Sequence, residues 1–165
     1  MKIFRFFIFL YCFVFFPVLG FCQSSQADLI VIEKSKRRLI LYSQDKILKE
    51  YKIALGPQPE GPKTQLGDGK TPEGKYIIDQ KNSQSAYHLS LHISYPNEED
   101  QKRAKSLGVN PGGQIMIHGL PNHLGWMGKL HQYRDWTQGC VALTNAEIEE
   151  VWNLVPVGTA VEIKP

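Results

Sequence analysis

The sequence predicts a mostly β domain, either a β-sandwich or a partly closed barrel, with two or more short helices. Three observations indicate this class. Short β-rich runs follow one another with polar turns between them, one run alternates between apolar and polar residues, and helical signals are confined to two capped segments. The length of 165 residues suits one domain with a core of its own.

The first half of the domain is predicted to be an antiparallel meander followed by a long loop. Each strand is a short run rich in β-branched, leucine or tyrosine residues, and each turn is polar. The basic cluster at 34–38 lies between two such runs and is predicted to be a solvated turn. The predicted strands are 29–32, 39–42, 47–55 and 75–79, and the loop, rich in Gly and Pro, is 56–74.

The second half is predicted to combine one alternating strand with two capped helices. In residues 87–95 the apolar and aromatic side chains fall on one face and the polar side chains on the other. Asn97 is predicted to cap a helix with acidic residues in its first turn. Thr144 and Glu147 form a capping box for a second helix, and a last strand is predicted at 160–163.

Residues 1–22 are predicted to be a signal peptide, and residues 23–165 the folded domain. The leader begins with a short basic stretch, continues as an uncharged apolar run, and reaches a small-residue site near Gly20. All eight phenylalanines lie at or before Phe21, a segregation that a folded core does not produce. Export to the periplasm is therefore expected. The alternative is an uncleaved leader that anchors the domain to the inner membrane.

Removal of this leader would leave Cys140 as the one cysteine of the domain. A lone thiol in an oxidising compartment indicates either a reactive group or a buried structural cysteine. The net charge is +3 for the whole chain and about +1 without the leader, which argues against a nucleic-acid partner.

Two apparent ligand motifs fail on their spacing. The run at 67–71 resembles the end of a phosphate-binding loop, but Thr64 stands where that pattern requires a glycine. His88 and His92 have the spacing of helical metal ligands, yet they lie on a predicted strand, where four residues span about 13 Å. No metal is expected at the other histidines, which match no ligand motif: His118, His123 and His131.

The strongest chemical signal is a histidine at a strand end, followed later by a glycine–cysteine pair. An apolar run delivers His118 to the end of a strand, where Gly119 lets the chain turn. Gly139 precedes Cys140 and keeps the space beside the sulfur open. A histidine on a neighbouring strand end would hold the thiol as a thiolate and protonate a leaving amine. The pattern predicts a cysteine nucleophile.

The motif IMIHG followed by DWTQGCVALTN resembles the catalytic domain of the L,D-transpeptidases, the YkuD fold of bacterial cell-wall enzymes. The variant Trp-Thr-x-Gly-Cys is similar to a Gram-negative branch of that family. GDGKTPEGKY, ISYPNEEDQKRAKSLG and PGGQIMIHG also resemble this branch, so that the likeness covers residues 29–163.

The resemblance implies a cysteine acyltransferase that acts on peptidoglycan stem peptides and needs no cofactor. Cys140 would attack the L-centre carbonyl of diaminopimelate at position three of a tetrapeptide, releasing D-alanine and forming a thioester. His118 would serve as general base and acid, with its ring oriented by the carbonyl of Gly119. The N–H groups of Gly139 and Cys140 would stabilise the oxyanion. The acceptor would be the amine of another stem, the lysine of a lipoprotein, or water.

Two departures from the common family motif leave the acceptor open. Gln138 replaces a histidine of that motif and cannot titrate. Val141 and Ala142 stand where Arg or Asn commonly follows the cysteine, so Arg134 or a lysine is expected to hold the substrate carboxylate. A hydrolase with the same nucleophile is the alternative to the transferase. A catalytically silent peptidoglycan-binding module is a third interpretation.

Side chains shortly before Cys140 are predicted to bind substrate. For Thr137 the alternative is a hydrogen bond within its own turn. The aromatic residues of this region either wall a cleft or pack in a core that lacks Phe: Trp126, Tyr133 and Trp136. Two histidines belong either to a lid over the cysteine or to a solvated loop: His123 and His131. The predicted substrate contacts are Arg134, Trp136, Thr137 and Gln138.

Overall fold

The computed structural model describes residues 26–165, which form one curled sheet of eight strands. Runs of β-branched and leucine residues form many of the strands, because such side chains pack well on a pleated surface. The strands are β1 (Leu29–Glu33), β2 (Arg38–Ser43), β3 (Lys46–Lys52), β4 (Gly74–Ser85), β5 (His88–Ile93), β6 (Met116–His118), β7 (Val141–Ala142) and β8 (Ala160–Lys164). Their order in the sheet is β3-β2-β1-β8-β4-β5-β6-β7.

The two edges of the sheet meet, which makes it a partly closed barrel. β3 lies at one edge and β7 at the other, and Ala54, just after β3, forms a bridge with Ala142 in β7. Backbone hydrogen bonds of 3.0 and 2.9 Å join these two alanines. The predicted mostly β class is therefore confirmed, in its barrel form.

The helices begin where the sequence predicts them. Asn97 caps α1 (Glu98–Leu107), and Thr144 with Glu147 forms the capping box of α2 (Asn145–Leu154). A 3-10 helical segment, Gly125–Tyr133, lies between β6 and β7 and is kinked in its middle. Caps of this kind satisfy backbone N–H groups that a helix leaves free at its start.

The apolar face of α2 packs against the barrel interior. Ile148 and Val151 are buried there together with Leu91 of β5 and Ile117 of β6. This packing fixes the strands on which the candidate site is built.

Two predictions about the first half need correction. β4 continues to Ser85 instead of ending at Asp79, because its polar second half pairs with β5. The cluster at 34–38 is not simply a solvated turn, since Lys34 is only 1% exposed. Its ammonium group donates to two carbonyl oxygens and to the carboxylate of Glu73, and these acceptors replace water around the buried charge.

The predicted signal peptide, residues 1–22, lies outside the described residues. Its cleavage, and the assignment of residues 23–165 to one catalytic domain, stay predictions. Within residues 26–165, no helix combines the length and the apolar character that a membrane crossing requires.

Candidate active site

The sheet brings the predicted histidine and cysteine to neighbouring strands. β6 and β7 run parallel, with His118 opposite Ala142 and Ile117 opposite Val141. Cys140 immediately precedes β7, so strand alternation directs its side chain to the face shared by Ala142 and His118. The sulfur lies at the start of β6, where the thiol donates to the carbonyl oxygen of Gln114 at 3.5 Å. The thiol is partly exposed.

The imidazole of His118 is held in one orientation by its neighbour. Nδ1 lies 2.7 Å from the carbonyl oxygen of Gly119, and because a carbonyl can only accept, Nδ1 carries the proton. In the neutral ring Nε2 then keeps its lone pair and is able to accept a proton. The rings of Tyr87 and Trp136 pack around the imidazole, with centroids 4.5 and 5.8 Å from its own.

Burial keeps both candidate catalytic groups neutral in the unliganded protein. His118 is 4% exposed, and loss of hydration lowers its pKa to about 4 despite the hydrogen bond to Gly119. Burial also raises the pKa of the Cys140 thiol, against the lowering effects of a Met116 N–H and of Lys63. This differs from the expectation of a thiolate already formed beside an imidazolium.

The turn before the cysteine requires glycine at 139. Gly139 has φ of +113°, and a Cβ atom there would lie 2.3 Å from the carbonyl oxygen of Lys70. Thr137 stabilises the same turn, because its hydroxyl donates to the Cys140 carbonyl at 2.8 Å and accepts the Gly139 N–H at 3.2 Å. Thr137 is buried, so this geometry favours the role within its own turn.

The loop that precedes β4 contacts the turn at Gly139 and restricts its position. Asp68 accepts hydrogen bonds from the backbone N–H groups of Thr64, Gln65 and Lys70. It also pairs with the buried ammonium group of Lys63 at 2.7 Å. These bonds place the Lys70 carbonyl against Gly139, which gives the GDGKTPEG segment a structural role at the site.

The segment leading to the cysteine is attached to the N-terminal meander. Asp135 accepts from Arg37 through Nε and Nη2, the shortest bond being 2.7 Å, and from the Leu55 N–H at 2.9 Å. The Leu55 carbonyl in turn accepts the Thr137 N–H at 3.0 Å. Arg37, part of the basic cluster in the first turn, therefore helps to position residues far away in the sequence.

The other predicted site residues differ in how close they lie to His118 and in how exposed they are. Trp136 contacts His118, whereas Gln138 and Arg134 are exposed. Tyr133 and Trp126 are also exposed and do not pack in the core.

The remaining histidines show no metal arrangement. His88 pairs with Glu149 and His92 with Asp79. In the described part of the chain, residues 26–165, no group of three or more His, Cys, Asp or Glu side chains is placed to hold a metal.

One residue of the site is missed by sequence reasoning. His131, for which a solvated loop or a lid were the two predictions, is 4% exposed and packs edge-on against Trp136. The indole Nε1–H of Trp136 donates to His131 Nδ1 at 3.4 Å. The sequence around His131 carries no periodic pattern that would have indicated its burial.

Comparison with known proteins agrees with the fold. The model of the L,D-transpeptidase catalytic domain, YkuD, matches residues 27–163. YafK of Escherichia coli (strain K12), provisionally named an L,D-transpeptidase, is 32% identical over 132 residues, which cover 76% of this chain and 46% of YafK. The chain thus spans about half the length of the curated relatives it matches.

Solved structures show the same architecture. The helical cell shape determining protein Pgp2 of Campylobacter jejuni is 28% identical, with a TM-score of 0.63 over 86% of this chain and 49% of Pgp2. An L,D-transpeptidase of Mycobacterium smegmatis shares the fold at 14% identity, with a TM-score of 0.55 over 84% of this chain and 59% of that one. The chain belongs to the YkuD family of L,D-transpeptidase catalytic domains.

Proposed function

We propose that this protein is a periplasmic cysteine acyltransferase that acts on peptidoglycan stem peptides in cell-wall cross-linking or remodelling. The observation that carries the proposal is the parallel pairing of β6 with β7, which sets His118 opposite Ala142 and brings Cys140, the partly exposed residue just before β7, close to it. The tautomer set by Gly119 supports it, because Nε2 of His118 is the atom left to accept a proton.

The first half-reaction forms a thioester. As His118 Nε2 takes the thiol proton, the sulfur of Cys140 attacks the L-centre carbonyl carbon of diaminopimelate in a tetrapeptide stem. The tetrahedral intermediate collapses when the amide nitrogen receives that proton from the imidazolium, and D-alanine leaves. Burial lowers the pKa of His118 and raises the pKa of Cys140, so both groups enter this step in their neutral forms.

The second half-reaction releases the acyl group. The amine of another stem, or the lysine side chain of a lipoprotein, attacks the thioester carbonyl while His118 accepts its proton. The Cys140 sulfur leaves and regains a proton from the same imidazole, so the enzyme returns to its initial state. No cofactor enters either step.

One backbone donor remains for the oxyanion. The Gly139 N–H already donates to Thr137, so it is engaged within the turn. The Cys140 N–H follows directly on this constrained turn, and we assign the oxyanion contact to it. Trp136 would form one wall of the peptide site, while Arg134 and Gln138 would offer polar contacts at its edge.

Hydrolysis by the same thiol is the second candidate. Val141 and Ala142, which follow the nucleophile, are fully buried and apolar, so this segment presents no polar side chain to an acceptor stem. Water would then complete the second half-reaction, and the enzyme would trim stems or cut protein–peptidoglycan links.

Mass spectrometry of the intact protein tests both candidates. Incubation with disaccharide tetrapeptide is expected to give an adduct on Cys140 equal to the substrate minus D-alanine, and none in the Cys140→Ala variant. Cross-linked dimers among the products indicate transfer, and tripeptide monomers alone indicate hydrolysis. An unmodified wild-type protein together with unchanged tetrapeptide, with neither dimers nor tripeptide formed, would contradict both candidates and favour a binding module.

A further inference from the structure

Asn145, the first residue of α2, contacts the backbone that orients His118. Its side-chain oxygen Oδ1 accepts a hydrogen bond from the Leu120 N–H at 2.9 Å. The oxygen is the atom that faces this N–H group, because a donor requires an acceptor. A Cβ atom at Gly119 would lie 2.9 Å from the same oxygen, so the side chain packs closely against this turn. The proposed chemistry does not otherwise use Asn145.

The Leu120 N–H and the Gly119 carbonyl belong to one peptide group. A trans peptide is planar and directs its N–H and C=O to opposite sides. The carbonyl oxygen accepts from His118 Nδ1 at 2.7 Å, while the N–H donates to Asn145 Oδ1. One rigid group therefore connects the imidazole to the side chain of Asn145. Hydrogen bonds in such a chain polarise one another, so that each strengthens the other.

Main-chain bonds from neighbouring segments hold the other backbone groups of this turn. The Gly119 N–H donates to the Tyr87 carbonyl at 3.1 Å, and the His118 carbonyl accepts from the Leu143 N–H at 2.9 Å. A side-chain substitution does not remove these bonds. The bond to Asn145 involves a side chain, so a substitution can delete it while the others stay.

Loss of the Asn145 oxygen would leave the Leu120 N–H without its acceptor. Leu120 is only 1% exposed, so water does not easily take the place of that oxygen. An unmet buried N–H group is unfavourable, and rotation of the peptide towards another acceptor would move the Gly119 carbonyl away from His118 Nδ1. The nitrogen that carries the proton in a neutral histidine is determined by hydrogen bonds of this kind.

We propose that Asn145 is a positioning residue that holds His118 in the tautomer with its proton on Nδ1. It acts through the peptide between Gly119 and Leu120 and takes no proton itself. A neutral imidazole has one ring proton, so the lone pair on Nε2 depends on this tautomer. The importance of Asn145 for acyl transfer rests on the proposed function, whereas its effect on the tautomer does not.

Nitrogen NMR of the full chain at neutral pH, without substrate, measures the tautomer. The ring resonances of His118, identified by their loss in His118→Gln, are expected to show a protonated Nδ1 and an unprotonated Nε2. In Asn145→Ala the ratio of the Nδ1–H to the Nε2–H tautomer is expected to fall by about fivefold or more, as for the loss of one ordinary hydrogen bond. A wild-type ring protonated on Nε2, or an unchanged ratio in Asn145→Ala, would overturn the proposal.

Asn145→Asp is the conservative variant. Aspartate keeps an acceptor oxygen at the same position, and its negative charge is favourable at the start of α2. The variant is expected to keep the wild-type tautomer ratio. A ratio as low as that of Asn145→Ala would mean that the acceptor oxygen is not what holds the tautomer.

Asn122→Ala is the matched control from the loop after β6. Asn122 Oδ1 accepts from the His88 N–H at 2.8 Å, and its Nδ2 donates to the Ser85 carbonyl at 3.2 Å. Asn122→Ala therefore deletes side-chain bonds to backbone without touching the bond to the Leu120 N–H. It is expected to lower stability and to leave the tautomer unchanged. Equal tautomer shifts in Asn122→Ala and Asn145→Ala would make the shift a general result of a loosened loop, and the proposal would fail.

Kinetics with disaccharide tetrapeptide measure the contribution of Asn145 to the reaction. When His118 takes the thiol proton, the imidazolium donates more strongly to the Gly119 carbonyl than the neutral ring does. Asn145→Ala is therefore expected to lower kcat by about tenfold and to change KM by about twofold or less. A higher KM with unchanged kcat would assign Asn145 to substrate binding and contradict a positioning role.

The tautomer measurement and the adduct assay fail independently. A tautomer shift in Asn145→Ala without a Cys140 adduct in the wild-type protein would retain the positioning role and remove the enzyme. Adducts formed at equal rates in both proteins, with an unchanged tautomer, would retain the enzyme and remove the role of Asn145.

Discussion

The carbonyl oxygen of Lys70 faces the Cα atom of Gly139 so closely that a Cβ atom at 139 would lie 2.3 Å from it. Real Cβ atoms do not approach backbone oxygen to this distance, so either the loop or the cysteine turn would have to move. The loop is fixed by the ion pair of Lys63 with Asp68 and by backbone bonds to that carboxylate. The position of Cys140 therefore depends on a loop whose residues take no part in the proposed chemistry.

Gly139→Ala is expected to lower the free energy of unfolding and to abolish the Cys140 adduct. Gly158→Ala is the matched control, because Gly158 also has positive φ, +94°, but open space around its Cα. The control isolates backbone strain, about 1–3 kcal/mol, while the test variant adds the clash with Lys70. Urea unfolding and the adduct assay measure the two effects. Equal losses of stability in both variants would show that the close approach of the Lys70 carbonyl to residue 139 does not affect the free energy of unfolding.

Alkylation of Cys140 by iodoacetamide is expected to accelerate continuously as the pH rises from neutrality. Burial raises the pKa of this thiol, so the reactive thiolate of the unliganded protein accumulates only in alkaline solution. His118, with a pKa of about 4, is neutral throughout that range and provides no positive charge. The urea-unfolded protein is the control and should react faster at neutral pH. A rate plateau between about pH 5 and 8 would indicate a preformed ion pair instead.

Lys34→Met is expected to destabilise the protein by about 3–5 kcal/mol, since it leaves Glu73 and two buried carbonyl oxygens without their cation. Lys36→Met is the control. Lys36 is largely exposed and pairs with Glu33 at the surface, where such pairs contribute about 0–1 kcal/mol. Thermal and urea unfolding measure both. A loss below about 1 kcal/mol for Lys34→Met would mean that the buried lysine is not needed for the loop.

Asp68→Asn is expected to reduce the acid sensitivity of the fold. Burial alone would raise the pKa of Asp68, but the ion pair with Lys63 and three backbone N–H donors outweigh it and lower the pKa to about 2. Because the folded pKa is depressed, this carboxylate stabilises the fold above its ordinary pKa, 3.8. That contribution is lost as the pH falls towards 2.

Unfolding midpoints between about pH 5 and 2.5 should therefore fall more steeply for the wild type than for Asp68→Asn. Asp45→Asn, in an exposed turn, serves as the control and should retain the wild-type slope. Identical slopes in all three proteins would contradict the role of Asp68.

Local signals in the sequence predicted the local structure well. The capping boxes at Asn97 and Thr144 depend on residues three positions apart, and both helices begin where expected. The sequence also led us to expect that neighbouring strands bring His118 and Cys140 within reach; in the structure His118 ends β6, and Cys140 immediately precedes the parallel strand β7. The neutral charge state of His118 was not predicted, since it depends on burial by Tyr87 and Trp136, which the spacing of residues in the sequence does not indicate.

Long-range relationships escaped sequence reasoning. β1 pairs with β8, so the first and last strands of the described chain lie side by side, and neither strand's sequence indicates this pairing. The sequence predicted that Lys34 and His131 are solvated, because burying a polar side chain without partners is unfavourable. In the structure distant carbonyl oxygens surround Lys34 and an aromatic ring packs against His131, and the sequence alone does not identify these partners.

The bridge between Ala54 and Ala142 has a consequence for the order of folding. β7, a strand of two residues, has no hairpin partner and takes its hydrogen bonds from residues that lie far back in the chain. Contacts between such distant positions form late, because closing long loops is entropically costly. The sulfur thus reaches its place beside β6 only when assembly of the barrel is nearly complete, and partly folded chains would carry an ordinary solvated thiol.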